Sequence, residues 1–416
     1  MHSGALPARR ACAAALGAVA LAAGLAACGS SGSGDQQPAG LSGQQAQSYN
    51  NAQYTAEDKA AATVLAPKAG SFLAGKTTVS VLGSTTPANG DENPYAIWPV
   101  ARTVGSVTAG DVLVDNFNNQ SNNQGTGTTI VDVHPNGQVS VFATLPATVS
   151  GCPGGVGLTG AMVQLQNGWV IVGSTPSTDG KIGTAGAGCL LEISPTGQLG
   201  GTISGAYIDG PWSSAVQDDG TSADLFITNT LVGLAKSATA SSTQGTVVRI
   251  ALSEPAAGMP AVTGETQIAG GFAEKGDAAA FVKGPTGLAF DPSSGTLYAT
   301  DNIGNRIVAI PQAATRTDSA GTGTVLTEDG QLANPLGLAL APDGDLLAAN
   351  ATNGKIVEVT TSGRQVGEYY AIQDVGQDPP GNGDLFDLAV DQAGTGVLFV
   401  KDDSNALALL SAAAAQ

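Results

Sequence analysis

The sequence predicts an all-β protein, a six-bladed β-propeller, and three observations carry that expectation. The first is an internal repeat of about 50 residues between Gly284 and Val359. There GPTGLAFDPSSGTLYATDNIGNRIVAI lies over NPLGLALAPDGDLLAANATNGKIVEV, each reading as strand, Gly turn, second strand ending in a polar residue, third strand. The second is that the pattern recurs six times along the chain, with spacings stretched to roughly 75 residues where loops are inserted. The third is an orphan strand near the start, Thr77–Leu82, which can supply the strand missing from the last repeat.

Taken in order, the first-strand lines begin at Asn93 (NPYAIWPV), Gly157, Gly210, Gly284, Asn334 and Asp384 (DLFDLAVD). Second-strand lines begin at Asp111, Trp169, Asp224, Thr296, Asp345 and Val397 (VLFVKD). Third-strand lines are TTIVDV, CLLEIS, TVVRIA, RIVAIP, KIVEVT and ALALLS. A fourth strand follows short turns such as His134-Pro135-Asn136-Gly137 and Ser194-Pro195-Thr196-Gly197, and less regular connections precede TQIAGG and TVLTED. The sixth unit stops after its third strand, so a strand from the opposite terminus is expected to complete it and close the ring. A propeller also answers a size problem. A chain of 416 residues exceeds the reach of one core, whereas a propeller divides its core among blade interfaces.

Ahead of the repeats the chain reads as a leader and a tether. Arg9 and Arg10 precede the apolar run Ala11–Ala27, which is too short and Ala-rich for a stable membrane span. The run ends in Leu25-Ala26-Ala27-Cys28 followed by Gly29-Ser30-Ser31. This resembles a bacterial lipobox, which implies removal of residues 1–27 and lipidation of Cys28. Residues 28–54 are mostly Gly, Ser, Gln and Ala, a composition that buries too little surface to fold. Thr55-Ala56-Glu57-Asp58 resembles a capping box opening a short helix over Lys59–Leu65. Residues 55–76 therefore form a helix and linker, and 77–416 the propeller. The expected location is the bacterial cell envelope, facing outside the cytoplasm, with the membrane reached only through the lipid.

The net charge is -18, and removal of Arg9 and Arg10 takes it to -20. An acidic surface repels nucleic acid, which is excluded as a partner, and leaves a protein or small-molecule ligand as the expected one. Cys152 and Cys189 remain after processing. In an oxidising compartment they are expected to form a disulfide; two separate buried thiols are the other reading.

The line GPTGLAFDPSSGTLYATDNIGNRIVAI resembles an NHL repeat, with Pro-x-Gly-apolar, a Gly turn, Leu-Tyr-x-x-Asp and Asn-Arg-Ile. The approach Gly276-Asp277-Ala278-Ala279-Ala280-Phe281 resembles the linker preceding such repeats. The resemblance implies a propeller but no single activity, because the fold hosts enzymes, binders and interaction platforms alike.

Two sets of residues are candidates for chemistry. The polar ends of the second strands include Asp115, Asn116, Ser174, Asn229, Asp301, Asn302, Asn350, Asp402 and Asp403. Such oxygens suit a hard cation such as Ca²⁺, or equally satisfy backbone donors in their own turns. A similarity to the gluconolactonase class implies Asn229, Asp301, Asn350, Asp387 and Asp402 as metal ligands with a metal-bound water as nucleophile. The acidic residue implied on the first unit's inner strand is Ala96 here. The second set breaks the repeat. Asp387 stands where other units have Gly160, Gly287, Gly337, Ala96 or Ser213, close to Asp384, and Tyr95 and Trp212 stand where Thr286 or Leu336 would. Tyr95, Trp212, Asp384 and Asp387 are thus candidate ligand contacts, or alternatively ordinary lining and packing. His134 lies in an outer turn, away from channel chemistry, and no nucleophile elbow or phosphate loop is present.

Overall fold

The computed structural model describes residues 65–373 and 377–413. The leader 1–27, the tether 28–54 and all but the last residue of the helix expected over Lys59–Leu65 lie outside the described residues. Strand β1 (Lys76–Ser84) comes first in the chain but belongs to the last sheet. The first blade is β2 (Glu92–Pro99), β3 (Val112–Asn118), β4 (Thr129–Val133) and β5 (Val139–Thr144). The second is β6 (Leu158–Gln164), β7 (Val170–Ser174), β8 (Cys189–Ile193) and β9 (Leu199–Ile203). The third is β10 (Pro211–Asp218), β11 (Ser222–Asn229), β12 (Ser241–Ser253), β13 (Ala261–Asp277) and the short β14 (Phe281–Lys283).

The fourth and fifth blades are the most regular. They are β15 (Pro285–Asp291), β16 (Thr296–Asp301), β17 (Arg306–Ile310) and β18 (Thr324–Glu328), then β19 (Pro335–Leu340), β20 (Leu346–Asn350), β21 (Lys355–Val359) and β22 (Gln365–Tyr370). The sixth blade is β23 (Leu388–Val390), β24 (Val397–Lys401), β25 (Ala406–Ala412) and, outermost, β1. All neighbours pair antiparallel, and each innermost strand contacts the next around the ring, β23 returning to β2. The chain is a six-bladed β-propeller.

The periodicity of the strands explains where the core sits. Successive side chains of a strand point to opposite faces, so each blade offers one apolar face to each neighbour. Along the first blade, Leu113 and Ile130 pack toward the second blade, while Val112, Val114, Val131 and Val133 pack against the sixth. Six apolar clusters result among the described residues, one at every blade interface. Being covered on both faces, β4, β20, β21 and β24 are buried throughout, and β20 and β24 read as apolar runs, LLAA and VLFV, rather than alternating ones. The Cys152–Cys189 disulfide is present, and it ties the connection between the first two blades to β8 inside the cluster those blades share.

Three details depart from the expected layout. The inner strand of the last blade, expected from Asp384, pairs only over Leu388–Val390. Asp384 is held elsewhere, its Oδ1 accepting the Asp403 N–H at 2.8 Å. In the third blade the hairpin β12–β13 runs far past its neighbours, and β14 folds back on it with Phe281 opposite Asp277. The orphan strand is found as β1, paired along β25 with Val79 opposite Leu410 and Ser84 opposite Ala406. The segment before it is pinned by Glu358, whose carboxylate accepts the N–H groups of Phe72 at 2.6 Å and Leu73 at 2.8 Å.

Candidate functional site

The six inner strands enclose a channel whose two ends are built differently. At one end the inner strands begin and the second strands finish, and here insertions close over the axis. The turn containing Ile182–Thr184, the loop after Asn229 and strand β14 bring Ile182, Leu234 and Phe281 onto Tyr95, Phe117 and Trp212. The rings interlock. Tyr95 stacks on Phe386 with centroids 4.9 Å apart, Phe117 meets Trp212 edge-on at 5.5 Å, and Trp212 lies parallel to Phe281 at 6.4 Å. The Trp212 indole N–H donates to the Tyr95 hydroxyl at 3.0 Å, so the buried donor is satisfied. Phe281 adopts a φ of 62°, a left-handed conformation that a non-glycine residue holds at a cost of roughly 1 kcal/mol. Beneath the cap the residual space is about 10 Å³, room for about one water, among Tyr95, Trp212, Thr286, Leu336 and Phe386.

One step further along the axis comes a ring of small residues with one exception. Gly160, Ser213, Gly287 and Gly337 bring their backbones to the centre, and Asp387 is the single carboxyl among them. Gly337 has no room for more than hydrogen, since a Cβ there would sit 2.4 Å from Asp387 Oδ1. The Ile97 N–H donates to Asp387 Oδ2 at 3.4 Å. Adjacent Ala96 donates its N–H to Asp115 Oδ1 at 2.8 Å. Asp115 is 0 % exposed and its Oδ2 has no partner. Desolvation pushes the Asp387 carboxyl up to about 7. The Asp115 carboxyl is raised well above its ordinary value, by desolvation first and by the Asp387 charge after it. The Tyr95 phenol is raised as well, by desolvation first, with Asp387 among the neighbouring charges.

Beyond Asp387 the channel widens into a cavity of about 310 Å³, open to solvent at the end where first and second strands are joined. Its wall is made by Ile97, Met162, Leu288, Leu338 and Leu388, with Trp98 at the rim. Ser214 also lines it, and its hydroxyl is buried without a hydrogen-bond partner. The site is thus a blind well: apolar sides, a carboxyl floor and an aromatic seal behind the floor.

The expected residues separate into two groups. Tyr95, Trp212 and Asp387 converge on the axis; Asp384 is turned into the 402–403 turn. The second-strand residues face their own loops. Asn229 accepts the Asp209 N–H and donates to the Tyr207 carbonyl; Asn350 accepts the Ala333 N–H and donates to the Gln331 carbonyl. Asp301 accepts from Gly304 N–H and the Arg306 guanidinium, both within its own turn. Asp402 lies one residue past the position of Asp301, because Lys401 pairs with Ala406 as Asp301 pairs with Arg306. Desolvation, with Asp384 next, raises its carboxyl. Of the five expected metal ligands, Asn229, Asp301 and Asn350 thus accept donors in three separate turns, while Asp387 accepts the Ile97 N–H from β2.

Two clusters of ligand-type side chains lie outside the channel among the described residues, at Asp111, Asp132 and His134 and at Asp343, Asp345 and Glu358. His134 Nδ1 is 2.9 Å from Asp111 Oδ1, and Glu358 holds the segment before β1. Sequence reasoning passed over Ser214, and it grouped Asp115 with the polar ends of the second strands rather than with Asp387. Asp115 occupies the register of Gly173, Thr228, Thr300, Ala349 and Val400, each one residue before the polar end of its strand. That break in the repeat was the available signal.

No family model matches the chain, and no curated protein sequence does. Solved structures match it in shape. A gluconolactonase from Xanthomonas campestris is 15 % identical, with a TM-score of 0.51, over 84 % of this chain and 94 % of that one. A luciferin-regenerating enzyme is 11 % identical, with a TM-score of 0.50, over 81 % and 96 %. A calcium-binding regucalcin from Agrobacterium tumefaciens gives 14 % and 0.48, over 80 % and 93 %. What this chain shares with them is the six-bladed propeller fold.

Proposed function

We propose that the protein is a lipid-anchored, extracytoplasmic binding module that holds a small ligand in the blind well of its propeller. The observation that carries the reading is the asymmetry of the channel: one mouth packed shut by aromatic rings, the other opening on an apolar cavity with the half-buried Asp387 carboxyl at its base. A volume of about 310 Å³ is at the lower end of small-molecule sites, which suits one compact ligand. Leu25-Ala26-Ala27-Cys28 supports the anchor, and the Cys152–Cys189 disulfide accords with an oxidising compartment. The ligand's body displaces water from Ile97, Met162, Leu288 and Leu338, while Asp387 and Ser214 fix its orientation.

The anchor is tested by mass spectrometry of the N-terminal peptide in the native host. A diacylated Cys28 is expected, with Cys28→Ala releasing the protein from the membrane fraction. An unmodified Cys28 overturns it. The binding reading is tested by soaking crystals or titrating the soluble domain with a fragment library. Ligands are expected to cluster in the well, and occupancy confined to other surfaces overturns it.

A second reading, hydrolysis of the gluconolactonase kind, is favoured by one observation, the Asp387 carboxyl on the cavity floor with the fully buried Asp115 carboxyl near it, both raised by desolvation. Assay of sugar lactones with and without Ca²⁺ decides it. Turnover lost in Asp387→Asn supports hydrolysis, and absence of turnover in both conditions removes it.

A further inference from the structure

We propose that the ligand of the well is an organic amine, a compact apolar body carrying one ammonium group that docks on Asp387. This inference rests on the binding reading above and adds the chemical class. The argument begins with what surrounds Asp387. Its carboxylate receives only backbone donors, from Ile97 and Leu388, and no Lys, Arg or His pairs with it among the described residues. The ionisable groups facing it are themselves acidic: the Asp115 carboxyl from β3 and the Tyr95 phenol from β2. A carboxyl with only backbone donors and no cation of its own is complementary to a positive charge brought by the ligand.

The rest of the well sets what carries that charge. A hydrated metal ion needs several oxygen ligands around one point, and the wall beyond Asp387 offers Ile97, Met162, Leu288, Leu338 and Leu388 instead. An apolar body gains from leaving water against such a wall. Ser214 adds a third element. Its hydroxyl is buried on the cavity wall without a partner, and it can accept a second ammonium N–H or pair with a polar substituent. On the far side, the Trp212–Tyr95 seal leaves space for about one water, so the ammonium reaches Asp387 from the open cavity. Docking of the ammonium favours the ionised carboxylate, and binding is therefore accompanied by proton release near neutral pH.

Three probes of the same shape separate the possibilities: cyclohexylmethylamine, cyclohexylmethanol and cyclohexanecarboxylate. Each is titrated into the folded protein with a disulfide-intact propeller, following Trp fluorescence and calorimetry in two buffers of different ionisation heat. The amine is expected to bind at least tenfold more tightly than the alcohol, the carboxylate to bind weakest, and the amine's affinity to fall about tenfold between pH 8 and pH 6 as the carboxyl takes up its proton. Asp387→Asn should lower amine affinity tenfold or more and leave the alcohol within about twofold. Ser214→Ala should have a smaller effect on the amine. Equal binding of amine and alcohol, or an unaffected Asp387→Asn, overturns the amine assignment while leaving the well as a binding site. Failure of all three probes to bind overturns the binding reading as well.

Discussion

The two ends of the channel use the same six inner strands, and they differ in what the loops add. At the capped end, Ile182, Leu234 and Phe281 arrive from insertions and fill the axis around Trp212. At the open end, Trp98, Phe290, Leu340 and Val390 remain partly exposed around a cavity. The difference teaches that the propeller core is not what defines the site. The blade interfaces are alike in kind around the ring, whereas one decorated end turns a through-channel into a well with a floor.

The contrast can be broken most directly at Trp212. Trp212→Ala removes the centre of the seal, and truncation of a buried Trp costs about 3–5 kcal/mol. A large drop in the urea midpoint is expected, and a drop no greater than that of a rim residue such as Leu340→Ala would mean the cap is not a packed core.

Asp387 sharpens the comparison through pH. Its carboxyl stands at about 7 in the folded protein against an ordinary 3.8. Below the lower value both states are protonated and nothing is gained or lost. As pH rises from 4 to 7 the unfolded chain ionises freely while the folded one resists, so stability is lost across that window and stays lost above it. Asp387→Asn is expected to exceed the parent in urea stability at pH 8, by at most about 4 kcal/mol because the lumen admits water, and to match it near pH 4. A difference independent of pH would place the cause outside this carboxyl.

The smallest expected effect is at Tyr95. Tyr95→Phe keeps the stack on Phe386 but leaves the Trp212 indole N–H without its acceptor, a cost of about 1–2 kcal/mol. An unchanged urea midpoint would show that another group takes up the donor.

The fold was legible because it repeats. Strands buried on both faces give apolar runs such as LLAA in β20 and VLFV in β24, and the Gly turns between strands mark the register. Legibility failed by one residue in the last blade. VLFVKD looks aligned on its Asp, but hydrogen bonding places Lys401, not Asp402, in the register of Asp301. Of the site, Tyr95, Trp212 and Asp387 were visible as breaks in the repeat. The seal was not. Phe281 and Leu234 sit in short apolar patches, Phe281-Val282 and Leu231-Val232-Gly233-Leu234, flanked by Ala, Ser and Gly, where no periodicity signals burial, and only the folding back of β14 and the 230–240 loop brings them together.

The pairing of β1 with β25 has a consequence for how the molecule is made. Val79 and Leu410 face each other across strands 331 residues apart in the chain. A chain synthesised from its N-terminus can assemble five blades from local hairpins as they emerge. The sixth must wait, with β1 unpaired and its apolar residues waiting for the core it shares with Leu347 and Phe399, until β25 is delivered. Contacts of such long range are slow to form and leave an open strand edge in the meantime. A nascent chain stalled before Ala406 is therefore a propeller with an adhesive seam, and the arrival of β25 decides when that seam disappears.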